Sequence, residues 1–447
     1  MHELEELKRR IFELIDEYTL LELNDKQSKL FRPGGLIPYA GRNYDNAERR
    51  NLVDSALTFW LTAGEYAAQF EKSLAEYLGV PFAYAVCSGS AANLLAFSAL
   101  SSRLLGDRAI QRGDEVITVA AGFPTTVAPI VQNGCVPVFV DVTLPTYNID
   151  VSQLEEACSN KTKAVFVAHA LGNPFDLKRV KAFCDSHGLF LIEDNCDALG
   201  SEYDRGFGFE KTGTIGDIGT SSFYPAHHIT MGEGGAVYTK DRLLARILLS
   251  MRDWGRDCIC PAGHDDTCGH RFDAQYGTLP KGYDHKYVYS HLGFNLKITD
   301  MQAAIGCAQL KKLPEFTKKR SDNWHTIKDG LIAAELERYL IFPEKTENSN
   351  PSPFGFIVTV NDDAPIDRKE LALRLESFGV QTRALFAGNI TRHPCFESLK
   401  EGVDYRIVGN LENTDLILNN SLWVGVHPGL RDEHLKAIIA SFKKAFV

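Results

Sequence analysis

The chain has 447 residues, of which 44% are hydrophobic and 24% charged; this is the balance of an ordinary soluble globular protein, with room for a large core and more than one domain. A formal charge of −10 removes any general electrostatic case for nucleic acid as a partner. No apolar run reaches the roughly 18 residues of a membrane span, and the acidic start Met1–Leu7 lacks the basic and apolar regions of a signal peptide, so the expected location is cytoplasmic.

Residues 3–23 place Leu4, Leu7, Ile11, Leu14, Ile15 and Tyr18 at helical spacing among charges, which predicts an amphipathic helix. Residues 24–48 are polar and carry Pro33-Gly34-Gly35 and Pro38, the composition of an extended arm or loop. Residues 49–78 read as helical with a break near Gly64. From Pro81 the pattern changes to alternating strand and helix. Strands are predicted at Phe82–Cys87, Glu115–Ala120, Pro137–Val142, Ala164–Ala168 and Phe190–Glu193, with helices around 90–102, 125–133, 151–159 and 176–187. That rhythm predicts an α/β fold, a mostly parallel sheet covered by helices on both faces. Two more strand-like segments, Ile215–Ser221 and Ala236–Tyr238, follow. Residues 254–292 show no sustained period and are rich in Gly, Asp, His and Cys; a structureless loop of that length is usually functional. Residues 298–347 read as helical. A strand at Phe354–Val360 then opens a smaller C-terminal α+β part, with helices at Arg368–Phe378 and Asp432–Phe446. The expected division is an N-terminal helix and arm (1–50), a large domain (51–315) with a Cys-rich insertion at 254–292, and a small C-terminal domain (316–447).

Ligands of open parallel sheets bind beyond the carboxyl ends of the strands, and the chemically suggestive segments sit there. Ser88-Gly89-Ser90-Ala91-Ala92-Asn93 lies between a strand and a helix, where small residues let backbone amides approach a phosphate; a simple helix cap explains Ser88 or Ser90 equally well. Phe123 follows the second strand, as an aromatic wall or as a core residue. Leu191 to Gly200 carries Asp194, Cys196 and Asp197 at a strand end. The stretch Ser222 to Gly235, with His227 and His228 between two β segments and three glycines, reads as a site rather than a packing element. An imidazole there can move a proton near neutral pH, its ordinary pKa being about 6.5.

The segment Ser222-Phe223-(three residues)-His227-(four residues)-Gly232-Glu233-Gly234-Gly235 resembles the cofactor-lysine segment of the sugar aminotransferases that use pyridoxal phosphate, the DegT/DnrJ/EryC1/StrS family, with histidine in place of the lysine. Leu191–Gly200 resembles the family's Glu-Asp-x-x-x-Ala-x-Gly segment, and Gly293–Asp300 followed by Met301-Gln302-Ala303-Ala304 resembles its Gly-x-Asn-x-Arg-x-Thr-Asp segment, with Lys297 for the Arg. The resemblance implies a fold type I PLP-dependent transferase. It implies that Gly89, Ser90 and Ser222 hold the cofactor phosphate, that Phe123 stacks on the pyridine ring and that Asp194 pairs with the ring nitrogen. Asp197 falls where the aminotransferases have Gln, near the ring hydroxyl. Asn295 is implied to reach the cofactor of the neighbouring subunit in a homodimer. A histidine forms no stable Schiff base, so the resting cofactor is expected to be pyridoxamine phosphate, with His227 as the catalytic proton carrier.

Ten cysteines in a cytoplasmic chain are not expected to form a disulfide framework. Cys258-Ile259-Cys260-(seven residues)-Cys268 points to metal, and spacing alone leaves its identity and fourth ligand open, with His264 and His270 as rivals. Cys196, two residues after Asp194, would point the same way as that carboxylate in extended chain, about 6–7 Å from it. The set Cys196, Cys258, Cys260 and Cys268 matches the pattern of one branch of the family. That branch implies a 2Fe-2S cluster, an NADH-dependent flavin and iron–sulfur reductase as partner, and loss of the C3 hydroxyl from CDP-4-keto-6-deoxy-D-glucose on the way to the 3,6-dideoxyhexoses of lipopolysaccharide O-antigen. A second branch implies the same dehydration finished by deamination, without cluster or reductase. The other six cysteines, Cys87, Cys135, Cys158, Cys184, Cys307 and Cys395, are expected to be small buried hydrophobes.

Overall fold

A computed structural model describes residues 2–29, 35–260, 266–267 and 269–447. Its centre is an eight-stranded sheet in the spatial order Phe82–Val86, Gly235–Thr239, Ile218–Ser222, Phe190–Asp194, Thr162–Ala168, Glu115–Val119, Val136–Val140 and Arg406–Ile407. Gly235–Thr239 runs antiparallel to both of its neighbours. The other pairings are parallel.

The continuous apolar runs of these strands follow from burial on both faces. Alternate residues turn to opposite sides. Ile117, Val119, Val165, Val167 and Leu191 pack in one core with Leu177, Val180 and Phe183 of the helix Leu177–His187. Val116, Ala164, Phe166, Ile192, Ile218 and Val237 pack on the other side with residues of the helices Gly89–Ala99 and Arg242–Arg252. Each such buried Val, Leu, Ile or Phe contributes about 1.5–3 kcal/mol relative to exposure, so the two cores hold the strand ends in fixed register.

A second, antiparallel sheet is ordered Leu340–Ile341, Gly355–Val360, Ser421–Gly425, Thr382–Arg383. Its core takes Leu371 and Leu375 from the helix Arg368–Ser377, Leu435, Ile438 and Phe442 from the helix Asp432–Ala445, and Ile327 and Leu331 from the helix Asp300–Ile332. That 33-residue helix therefore ties the two sheets together. It starts at a capping box in which Thr299 and Gln302 satisfy each other's backbone amides.

Several expected boundaries shift for physical reasons. The first helix runs on through Lys29, beyond the expected Leu23, because residues 24–29 hold no Gly or Pro to stop it, while they have no apolar stripe to announce it. The helix Asn46–Thr58 starts inside the expected arm at a capping box between Asp45 and Glu48. The break at Gly64 is wider than one residue: Phe59 takes a left-handed φ of 56° and the next helix starts at Glu65. Residues 151–159 supply only a short 3-10 turn and the single helical turn Leu154–Ala157. The expected helix over 298–347 stops at Ile332, since Glu335 is left-handed and Leu340–Ile341 pairs with Thr359 and Val360. Among the described residues of 254–292, turns and one short 3-10 segment, His285–Tyr287, replace regular structure.

The expected burial of six cysteines needs correction. Cys135, Cys184 and Cys307 are buried, but Cys87 and Cys158 are only partly so and Cys395 is exposed. Beside Cys395, Phe396 takes the core position. Cys158 lies at the surface with its Sγ 3.7 Å from His187 Nδ1.

Asp300 is a further tie that position alone would not reveal. Its Oδ1 accepts the amides of Gly64 at 2.9 Å and Ala67 at 2.8 Å, which caps the start of the helix Glu65–Leu78 from another part of the chain. The carboxylate is nearly fully buried, so Asp300→Ala leaves buried donors unpaired. Loss of about 1–3 kcal/mol of unfolding free energy is expected, measured by urea denaturation, with Asp300→Asn losing clearly less.

Candidate functional site

Five segments that leave the main sheet on one side enclose a cavity of about 330 Å³. Asp194 ends its strand at the cavity wall and is 3% exposed. Its Oδ2 accepts hydrogen bonds from Asn93 Nδ2 and Thr126 Oγ1, both at 2.7 Å, and its Oδ1 accepts the Cys196 amide at 3.1 Å. Thr220 Oγ1 donates to Asn93 Oδ1 at 2.6 Å, which fixes the Asn93 amide so that its nitrogen faces the carboxylate. A buried carboxylate is tolerated only with such donors.

Gly89 and Ser90 open the helix Gly89–Ala99 at the cavity, where the first-turn amides carry the positive end of the helix dipole. Ser88 is the helix cap, its Oγ accepting the Ala91 amide at 3.0 Å. Between the two readings of that serine, the cap is the one made by contacts. A Cβ on Gly89 would come within 2.4 Å of the Ser222 Cβ, so only glycine permits this approach between the helix start and the strand end. Ser222 lines the same corner. Phe123 is 47% exposed on the cavity wall, held edge-on against Phe386 with centroids 6.1 Å apart. A half-exposed phenylalanine beside a buried carboxylate is not a core residue.

The two neighbouring histidines part company. His228 is buried and donates from Nε2 to the Ser352 carbonyl at 2.8 Å; burial pushes its pKa well below the usual histidine range. His227 faces the cavity, its ring 5.2 Å from that of Phe354. Its Nδ1 stands 3.3 Å from Asp197 Oδ1, a close approach outside hydrogen-bond geometry, and neither that nitrogen nor Asp197 Oδ2 has a hydrogen-bond partner among the described residues. Burial pushes the Asp197 carboxyl above its usual range, against the opposing pull of His227 and Arg320. Among the described residues, no lysine lines the cavity.

Six of the expected residues, Gly89, Ser90, Phe123, Asp194, Asp197 and Ser222, thus meet His227 around one cavity. Asn295 does not line it. Its backbone bridges to Asp253 and its Oδ1 accepts Lys297 Nζ at 2.6 Å. Lys297 lies over the Trp254 ring with Nζ 3.3 Å from the centroid, a packing a bulky guanidinium fork would not share unchanged.

Cys196 is on the cavity wall. Burial and the Asp194 charge raise its thiol well above the ordinary cysteine range. Cys258 and Cys260 follow the helix Arg242–Arg252 at some remove in the chain, and Cys268 and the rival ligand His264 lie outside the described residues. His270 is exposed and pairs with Asp273 at 2.9 Å. Among the described residues, no three His, Cys, Asp or Glu side chains gather to hold a metal ion. The fourth member of the expected set, Cys268, lies outside the described residues, so the described part of the chain holds only three of its thiols, Cys196, Cys258 and Cys260.

Sequence reading missed Tyr39, Phe354 and Trp423, which close the cavity from the N-terminal segment and the second sheet. No local signal marks these three. Arg383 lines the same side, with Cζ 4.0 Å from the Tyr39 ring centroid. Asn93 and Thr126, by contrast, sit inside segments that already stood out, as polar residues facing a strand-end carboxylate. A helix start with room only for glycine, an aromatic wall, a carboxylate held by three donors and an imidazole make a donor set that suits a phosphorylated pyridine ring.

Comparison with known proteins agrees with this geometry. A profile of the DegT/DnrJ/EryC1/StrS aminotransferase family matches residues 43–443. The lipopolysaccharide biosynthesis protein RfbH of Salmonella typhimurium is 51% identical over 441 residues, covering 98% of each chain. A dTDP-4-dehydro-2,6-dideoxy-D-glucose 3-dehydratase of Saccharopolyspora spinosa is 47% identical over 435 residues, covering 97% of this chain and 91% of the relative. Among solved structures, the E. coli GDP-4-keto-6-deoxy-D-mannose-3-dehydratase with bound hydrated PLP superposes with a TM-score of 0.78 at 29% identity, over 92% of this chain and 99% of that one. The fold is that of the fold type I PLP-dependent enzymes, and the chain belongs to the DegT/DnrJ/EryC1/StrS aminotransferase family.

Proposed function

We propose that this protein is a pyridoxamine-phosphate-dependent 3-dehydratase of a nucleotide-activated 4-keto-6-deoxy sugar, acting in the supply of deoxysugars for lipopolysaccharide O-antigen. The observation that carries the reading is His227. It occupies the turn between two strands where the family resemblance calls for lysine, faces the cavity and has Asp197 behind it. The names of the relatives support dehydration at C3.

When bound, pyridoxamine phosphate supplies an amine that condenses with the C4 ketone and a ring that accepts electrons as the C3 hydroxyl leaves. The chain's own residues do the rest. Gly89 and Ser90 offer helix-start amides to the phosphate, with Ser222 opposite. Phe123 covers one face of the ring. Asp194, with Oδ2 occupied by Asn93 and Thr126, holds a proton on the ring nitrogen and keeps the ring an electron sink. Asp197 faces His227 Nδ1, so Nε2 is the nitrogen that moves the proton at the cofactor's 4′ carbon. Phe354 and Trp423 exclude water from that face. In a homodimer, Asn295 serves the phosphate of the partner's site.

Two endings remain for the dehydrated sugar. The comparisons favour completion by hydrolysis and deamination, without a cluster, as the primary reading. The second reading is reductive, with a 2Fe-2S cluster on Cys196, Cys258, Cys260 and Cys268 fed by a flavin and iron–sulfur reductase. It is favoured by one observation, Cys196 on the cavity wall two residues beyond Asp194. For the nucleotide we propose cytidine diphosphate, against the dTDP and GDP carried by the names of two relatives.

His227→Asn is expected to retain pyridoxamine phosphate and to lose about 10²–10⁴-fold in kcat, read by release of the 3-deoxy product. His227→Lys is expected to convert the absorption spectrum from that of the amine to the visible band of a lysine Schiff base; an unchanged spectrum would show that residue 227 does not reach the cofactor. Iron and sulfide analysis of protein purified without oxygen separates the endings. About two irons and two sulfides per chain support the reductive reading, and their absence together with ammonia release on turnover supports deamination. Competition by CDP, dTDP and GDP for substrate is expected to rank CDP as the tightest inhibitor, and a tighter dTDP or GDP would replace it.

A further inference from the structure

Arg320, on the helix Asp300–Ile332, is 1% exposed and, among the described residues, makes no hydrogen bond to a carboxylate. Its guanidinium donates to carbonyls instead. Nη2 reaches Ala226 O at 3.3 Å and His227 O at 3.0 Å, and Nη1 reaches Pro353 O at 3.4 Å and Phe354 O at 3.3 Å. Its Cζ lies 5.8 Å from the Phe354 ring, and its Nε is buried without a partner among the described residues. A buried cation without an ion-paired neighbour is costly, and natural cores seldom keep one without a use. The burial is strong enough to pull its pKa down to about 10, with the charge of Asp197 acting in the other direction.

The contact pattern shows what the cation does. One arm of the fork holds two carbonyls of the His227 turn. The other holds the segment that enters the second sheet at Gly355 and carries Phe354 against the His227 ring. Only a planar fork spans two chain segments in this way; a lysine ammonium is a single point with a different reach. The same segment also receives His228, through the Ser352 carbonyl, so the turn is pinned on two sides.

We propose that Arg320 is a positioning residue, which clamps the His227 turn to the Pro353–Phe354 segment and so sets how the His227 ring meets Asp197 and the cavity. The role rests on the reading of His227 as the proton carrier. Arg320 does not line the cavity, so it acts through His227 and not by contact with cofactor or substrate.

The test is Arg320→Lys, solved by crystallography without cofactor and assayed with it. The turn is expected to move away from Phe354 and the Nδ1–Oδ1 separation to grow beyond its present 3.3 Å. Affinity for pyridoxamine phosphate is expected to change by less than about threefold while kcat falls about 100-fold at nearly constant KM, the scale of a displacement of about 1 Å. An unmoved turn, or a kcat within about twofold of the parent, less than 0.5 kcal/mol of barrier at about 1.4 kcal/mol per tenfold, overturns the proposal. So does loss of cofactor affinity in step with melting temperature, which marks a packing role. Arg320→Gln, which removes the charge and keeps one amide donor, replaces a lysine variant that does not fold, and failure of both to fold overturns the positioning role. His227→Asn assayed alongside keeps the two readings apart. Full turnover there defeats the role of His227, whereas the crystallographic shift still reports on Arg320.

Discussion

A carboxylate at the buried end of a central strand must be surrounded by donors, and that requirement organises this site. Asp194 draws Asn93 from the helix after the first strand, Thr126 from the helix after the second strand and the amide of Cys196 from its own strand end. Thr220, on a neighbouring strand, fixes Asn93 in turn. Four segments are thus oriented by one charge. The donors hold that carboxylate in place and leave it facing the cavity.

The opposite side of the cavity is held by a different force. His227 lies on a turn with no regular hydrogen-bond ladder of its own, and the second sheet supplies what the turn lacks. Phe354 packs on the imidazole, Ser352 takes the neighbouring His228, and Arg320 grips carbonyls from both segments. The placement of an imidazole relative to Asp197 therefore depends on contacts between residues more than 90 positions apart in the chain, as the separation of Arg320 from His227 illustrates. Such positioning is sensitive: reacting groups displaced by about 1 Å lose on the order of a hundredfold in rate.

The cysteines divide by the same physics. Cys196 is fixed by its place at the strand end, where burial beside Asp194 pushes its thiol well above the ordinary cysteine range. Cys258 and Cys260 belong to a stretch without strand or helix period, where no ladder dictates their distance from the strand end.

Much of this was written locally. Apolar strands alternating with amphipathic helices dictated the parallel sheet, because burial on both faces requires continuous apolar runs. The glycine at 89, the carboxylate at 194, the aromatic at 123 and the histidine at 227 each stand at a strand end, and sequence alone placed them on one side of the sheet. Tertiary structure decided what pattern cannot encode. It set which of two adjacent histidines faces the cavity, since only the Ser352 carbonyl pulls His228 away. It gave Ser88 to the helix cap and left Gly89 against Ser222. It ended the long helix at Ile332 because a strand partner waited at Val360. Tyr39, Phe354, Arg383 and Trp423 carry no shared local signal, and they meet at the cavity only because the second sheet packs across it. Local chemistry is read from residue type and spacing, whereas the walls of a cavity between layers exist only once the layers have packed.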